Sequence, residues 1–289
     1  MALPAPSRSR TALVTGASAG IGVELARQLA ERGHGLTLVA RREDRLRALA
    51  DELADVHGVR VEVATADLTD LDARAALAET VAERGLEVSI LVNNAGLSTM
   101  GPVASSDPAA EVRMIRTDVE AVADLCSRFV PAMADRGSGA VLNVASTAAF
   151  QPLPGQAGYG ASKAFVLSYS QALRAELAGR GVSVTVLCPG PVETEFAEVM
   201  GLGDEAASKS LPKVMWVSAT DVARQAVDGL AAGRAVVIPG AVNQVAARAS
   251  WFVPRTLLLP GAGPPAPGHA GPLTGDEGVE PQAVGSRLA

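Results

Sequence analysis

The chain has 289 residues, 48% hydrophobic and 19% charged, which is enough apolar side chain for one sizeable core and too little charge for a disordered protein. A formal net charge of -6 leaves no basic footprint for a phosphate backbone, so nucleic acid is not expected as a partner. No stretch reaches the roughly 18 uncharged apolar residues needed to cross a bilayer, so no transmembrane segment is expected.

Residues 1–10 offer no charged start followed by an apolar signal core, and the two cysteines, Cys126 and Cys188, sit inside apolar runs. A reduced, cytoplasmic protein is the expectation. From residue 11 to 238, short β-branched runs alternate with stretches of helical period, the pattern of βαβ units. About seven strands are predicted, centred on Leu13, Leu38, Val61, Leu91, Leu142, Val186 and Val237, each bounded by Gly, Asp, Asn or Pro. The fold class expected is α/β: a single-domain, Rossmann-type, doubly wound sheet of parallel strands with helices on both faces. Residues 1–10 are read as a flexible N-terminus, 11–259 as one dinucleotide-binding and catalytic domain, and 260–289 as a Gly/Pro-rich disordered tail. Ahead of that tail, Trp251, Phe252, Val253 and Leu257 to Leu259 form an apolar cluster. Packing on the protein's own body or on a partner subunit is the expectation there, ahead of contact with a membrane surface.

After the first strand comes Thr15-Gly16-Ala17-Ser18-Ala19-Gly20-Ile21-Gly22, opening a helix predicted from near Val23 to Glu31. A dinucleotide's pyrophosphate needs backbone N–H groups and the positive end of a helix, and glycines let the main chain approach it. The spacing is TGxxxGxG and not GxGxxG, so placement after a strand carries the inference. At the end of the second strand, Arg41 and Arg42 stand where an acidic residue would bind a ribose 2′-hydroxyl. Guanidinium groups suit a 2′-phosphate instead, which favours NADP(H). A basic first turn on a solvated helix is the alternative reading of Arg42 and the expected one of Arg45 and Arg47.

The strand ending near Ala145 delivers Ser146, and Tyr159 opens a helix with Lys163 one turn later on the same face. An ammonium beside a phenol favours the phenolate, the form able to take a proton near neutrality. Ser146 is placed to hold the substrate oxygen. With two tyrosines in the chain, chance gives a Tyr-x-x-x-Lys pair with probability of only about 0.02.

Over residues 11–238 the chain resembles a classical short-chain dehydrogenase/reductase. The resemblance implies hydride transfer between nicotinamide and a carbonyl or secondary alcohol, with Ser146, Tyr159 and Lys163 catalytic and Tyr159 and Lys163 also touching the cofactor. It implies that Gly16, Ser18, Gly20, Ile21 and Gly22 shape the cofactor turn and that Asp67, with Leu68, meets the adenine. It places Asn93, Ala95 and Gly96, in Asn93-Asn94-Ala95-Gly96, beside the cofactor, Asn93 through its backbone. In Pro189-Gly190-Pro191-Val192-Glu193-Thr194 it gives Pro189, Gly190 and Val192 to the nicotinamide end and Thr194 to the carboxamide. A homodimer or homotetramer through the helices near residues 111–133 and 156–177 is also implied.

The chain departs from that pattern at Asp118, where the family usually has an asparagine whose backbone carbonyl supports a water on the catalytic lysine. Asp118 retains the carbonyl but adds negative charge near Lys163, and slowed yet real catalysis is expected. His34, His57 and His269 lack the spacing of a metal site or a triad and are read as surface residues. Phe150, Leu153, Phe196, Val199, Met200, Leu202, Met215 and Trp216 flank the predicted chemistry and point to a hydrophobic substrate, unless they only pack a lid. Two rivals are kept: a non-enzymatic NADP-binding regulator, and a reductase of carrier-bound acyl chains, which would need a basic patch beside the pocket.

Overall fold

The computed structural model describes residues 3–192 and 212–250. Among them, seven strands form one parallel sheet in the order β3-β2-β1-β4-β5-β6-β7. In chain order these are β1 (Arg10–Thr15), β2 (Leu36–Ala40), β3 (Val61–Thr65), β4 (Glu87–Asn93), β5 (Gly139–Val144), β6 (Val182–Leu187) and the two-residue β7 (Val236–Val237). The α-helices among the described residues are α1 (Gly20–Glu31), α2 (Glu43–His57), α3 (Leu71–Glu83), α4 (Pro108–Ile115), α5 (Ala121–Asp135), α6 (Ala157–Glu176), α7 (Ala219–Ala231) and α8 (Ala241–Ala249).

Alternate residues of a strand face opposite sides of a sheet, and the core divides accordingly. Leu13, Leu91 and Val141 join the cluster beneath α3, α5 and α6, while Ala12, Val14, Ile90, Val92, Ala140 and Leu142 join the cluster beneath α1, α2 and α7. Both faces of β1, β4 and β5 are therefore covered, which explains why these strands read as unbroken apolar runs. Strand order reverses between β1 and β4, and the crevice at that switch point is where open α/β sheets bind ligands.

Local chemistry fixes the helix ends. Asp70 caps α3 by accepting from the Asp72 N–H at 2.8 Å, Asp107 caps α4 ahead of Pro108, and Gly58 ends α2 in the left-handed conformation. Between α4 and α5 a π-helical turn, Arg116–Glu120, inserts an extra residue and turns Thr117 and Asp118 inward. Such turns are rare and gather at functional sites.

Two expectations are corrected. Helix α1 starts at Gly20, three residues before the predicted Val23, because the glycines themselves form its first turn. His34 is not on the surface: it is 4% exposed, in the bend between α1 and β2. Ahead of β1, Leu3 packs on the core and Glu87 N–H donates to the Ser9 carbonyl. The Trp251 to Leu259 cluster, the 260–289 tail and His269 lie outside the described residues.

Candidate active site

At the switch point Thr15 ties two loops together. Its Oγ1 donates to the Val92 carbonyl at 3.3 Å and accepts from the N–H groups of Asn94 and Ala95 at 2.9 and 3.0 Å. The Asn94 amide donates back to the Thr15 carbonyl at 2.9 Å. Gly16 has φ 66° and Gly20 φ 55°, backbone conformations that side chains disfavour. A Cβ on Gly22 would stand 2.2 Å from the Gly16 carbonyl oxygen, so only glycine lets α1 begin this close to the turn. The cap residue Ala19 offers no side chain to the first amides of α1, and these remain available to an anion.

The turn forms one wall of a cavity of about 830 Å³, within the usual range for a ligand site. Gly16, Ser18, Gly20, Ile21, Arg41, Arg42, Asp67 and Leu68 line one end, and Ala95, Gly96, Ser146, Tyr159, Lys163, Pro189, Gly190 and Val192 line the rest. Arg42 reaches across to Ser18, its Nη2 donating to Oγ at 3.2 Å and to the carbonyl at 3.3 Å. Asp67 accepts from the Thr69 N–H and hydroxyl at 3.0 and 2.9 Å. The Thr69 N–H bond does most to hold its carboxyl below the ordinary aspartate range, with the Arg41 and Arg113 charges adding to it.

Gly22 lies behind the turn it shapes, and the Asn93 side chain runs into the core to donate to Asn143 Oδ1 at 2.9 Å. The cavity wall after β4 begins at Asn94. Thr194 lies outside the described residues, as do Phe196, Val199, Met200 and Leu202.

At the chemical end, β5 carries Ser146 to the rim, where its Oγ accepts from the Ala148 N–H at 3.1 Å. Helix α6 starts two residues before Tyr159, which places the phenol and Lys163 in its first two turns. The Lys163 Nζ is 5.5 Å from the Tyr159 ring centre and donates to the Val144 carbonyl at 3.4 Å. Its nearest charge is Asp118: Oδ2 stands 2.9 Å from Nζ, and Oδ1 accepts from the Leu97 N–H at 2.7 Å. It is thus the side chain of Asp118 that meets the lysine. Both groups are buried. Burial opposes the Lys163 ammonium, but the Asp118 and Tyr159 charges hold its ionisation above the ordinary lysine range. Burial likewise pushes the Asp118 carboxyl up, against Lys163 and the Leu97 N–H.

Neighbouring reactive side chains are packed or buried. The Cys188 thiol is pushed up to about 12 by burial, which removes the thiolate a nucleophile needs. Ser162 is buried in α6, and Tyr169 stacks on Phe165 with ring centres 5.5 Å apart. The sequence reading missed Asn94 as a side-chain tie, although it stands in the quoted motif. It also missed α8, whose Asn243, Ala246 and Ala247 line the cavity, because nothing in that helix departs from ordinary amphipathic spacing.

The described residues fit a dinucleotide carrying a 2′-phosphate: a cradle that a Cβ would fill, uncapped helix amides and two guanidinium groups line one continuous cavity. Comparison with known proteins agrees. The family described as short chain dehydrogenase matches residues 10–204. A sulfoacetaldehyde reductase of Chromohalobacter salexigens is 41% identical over 69% of this chain and 79% of its own. A short-chain dehydrogenase from Sphingobium yanoikuyae, solved in complex with NADPH, has a TM-score of 0.75 and 37% identity, covering 84% of this chain and 92% of that one. A bulky-bulky ketone specific alcohol dehydrogenase from Comamonas testosteroni has a TM-score of 0.72 and 30% identity, covering 89% and 94%.

Proposed function

Because this chain belongs to the short-chain dehydrogenase/reductase family and uses NADP(H), we propose that it interconverts a bulky hydrophobic ketone or aldehyde and the corresponding alcohol, with Tyr159 as general acid/base. The bound cofactor supplies or accepts the hydride. Tyr159 gives a proton to the carbonyl oxygen in reduction and takes it back in oxidation. Ser146 orients that oxygen. Lys163 favours the phenolate through its charge, and Asp118 tempers that help and fixes the ammonium in place.

The observation that carries this reading is the meeting of Ser146, Tyr159 and Lys163 with the glycine turn and Arg42 in one cavity. The apolar walls support the substrate class: Leu97, Met100, Phe150, Leu153, Met215 and Trp216 line the same cavity beyond the chemical centre. Among the described lining residues, the only cations are Arg41 and Arg42 at the far end and Lys163, already paired. A sulfonate such as sulfoacetaldehyde, the compound named for the relative from Chromohalobacter, would find no cationic partner among them. The Comamonas enzyme, named for ketones bulky on both sides, is the nearer guide to the substrate. Exposed Val112 and Ile115 on α4 and Phe165 on α6 support self-association through those helices.

The test follows NADPH absorbance while hydrophobic ketones and secondary alcohols are screened, with sulfoacetaldehyde alongside. Tyr159→Phe is expected to lower turnover by about 10³-fold with little change in NADPH affinity. Equal turnover by the variant removes the acid/base role, and a preference for sulfoacetaldehyde overturns the substrate class.

A further inference from the structure

Arg74, in the first turns of α3, is the largest side chain buried without any exposure among the described residues. It shares a face with Leu77 and Val81, at spacings of three and seven residues, which are core positions of the helix. An arginine there needs a partner for every arm. Its Nη1 donates to the Leu68 carbonyl at 2.6 Å, its Nε to Asp124 Oδ2 at 3.0 Å, and its Nη2 to Glu120. These partners belong to two different parts of the site. Leu68 lines the cavity beside Asp67, whereas Glu120 closes the π-helical turn that carries Asp118 to Lys163.

We infer that Arg74 is a positioning residue for the cofactor: its guanidinium fixes the Asp67–Leu68 loop, and hence the adenosine subsite, against the helix that delivers Asp118. The inference rests on the reading above that Asp67 and Leu68 face the adenosine. The geometry suits arginine and no other side chain, because a planar fork satisfies a carbonyl and two carboxylates at once while an ammonium is a single point charge. The remaining partners are not stranded when the guanidinium is removed. Glu120 is half-exposed, and Asp124 keeps Arg128 at 2.9 Å. The Leu68 carbonyl, whose bond is buried, has neither solvent nor a second cation to turn to, so the damage falls on the adenosine loop.

Two half-cofactors separate this role from a general structural one. Binding of 2′,5′-ADP, which carries only the adenosine half, is expected to weaken about tenfold in Arg74→Met, the size of effect when a buried carbonyl loses a charged donor. Reduced nicotinamide mononucleotide should bind as it does to the parent, and Arg74→Lys should recover only part of the loss. Equal weakening of both halves, or unaltered 2′,5′-ADP binding in a folded Arg74→Met, overturns the proposal. Should that variant not fold, Glu120→Ala at its half-exposed position carries the test: about threefold weaker 2′,5′-ADP binding with the nicotinamide half unaffected supports it, and no selective change refutes it. Asp67→Ala checks the underlying placement. If it leaves 2′,5′-ADP binding intact, the adenosine does not lie at this loop and the role given to Arg74 falls with it. If Asp67→Ala weakens binding and Arg74→Met does not, only the role of Arg74 is lost.

Discussion

Asp118→Asn keeps the shape of the side chain and the oxygen that accepts from Leu97 N–H, and removes one charge. The Lys163 ammonium stands 5.5 Å from the centre of the Tyr159 ring, where a unit charge contributes about 3 kcal/mol at an effective dielectric constant of about 20. The Asp118 carboxylate is 2.9 Å from that ammonium, hence no further than ~8 Å from the ring, and opposes it by about 2 kcal/mol or more. At the Tyr159 ring the field of the carboxylate therefore opposes most of that of the ammonium. One pH unit corresponds to about 1.4 kcal/mol, so the variant's rise in alcohol oxidation should have its midpoint lower by at least about one unit.

A second consequence has the same origin. Without the carboxylate, Lys163 faces burial with less support for its charge, since Asp118 is the leading group that holds its ionisation up. The ammonium should then be lost at a lower pH than in the parent, and the variant's plateau should end earlier. The assay is kcat/KM for oxidation against pH with NADP saturating, in both proteins. Coincident midpoints would refute the reasoning, because they would mean that a carboxylate this close exerts no field on the phenol.

Arg42→Glu puts a carboxylate beside Ser18, where the 2′-phosphate is expected; the ratio of kcat/KM for NADPH over NADH should fall by about tenfold, and an unchanged ratio would remove Arg42 from cofactor selection. Gly22→Ala drives a methyl group to 2.2 Å from the Gly16 carbonyl oxygen and should cost about 1–3 kcal/mol in urea unfolding while weakening NADPH binding; parental stability would show that α1 can recede from the turn. His34 is held below its ordinary 6.5, chiefly by burial with Arg32 adding to it. A depressed folded value means that the unfolded chain takes the proton first, so this contribution is present above 6.5 and lost as pH falls below it. Denaturation at pH above and below that point should show the loss in the parent and a smaller one in His34→Gln; identical slopes would show that the imidazole does not titrate on unfolding.

The sheet and the chemical centre were legible because both depend on local spacing. Unbroken apolar runs marked strands covered on two faces, and the TGxxxGxG turn, the Arg41-Arg42 pair and the Tyr159 to Lys163 spacing each carry their chemistry within one segment of chain. Asp118 was visible as a departure from a pattern, yet the reading gave its role first to a backbone carbonyl. A sequence does not show that a π-helical turn rotates this carboxylate into the core, since the extra residue shifts the helical period by one position. The early start of α1 was hidden for a related reason: glycines usually argue against helix, and here they are required by the approach of Asn94 and the Gly16 carbonyl.

His34 and Arg74 point to a more general limit. Both were invisible as buried residues because a polar side chain in a bend or on an amphipathic helix is surface by default. Burial of such a group becomes favourable only when partners from distant segments supply its hydrogen bonds, as Leu68, Glu120 and Asp124 do for Arg74. The partners are separated from Arg74 by as many as 50 residues, beyond the reach of any periodicity. Tyr159 and Lys163 could be found from spacing because one helix holds them. The groups that hold those groups in place come from separate segments, so their identity emerges only when the fold brings the loops together.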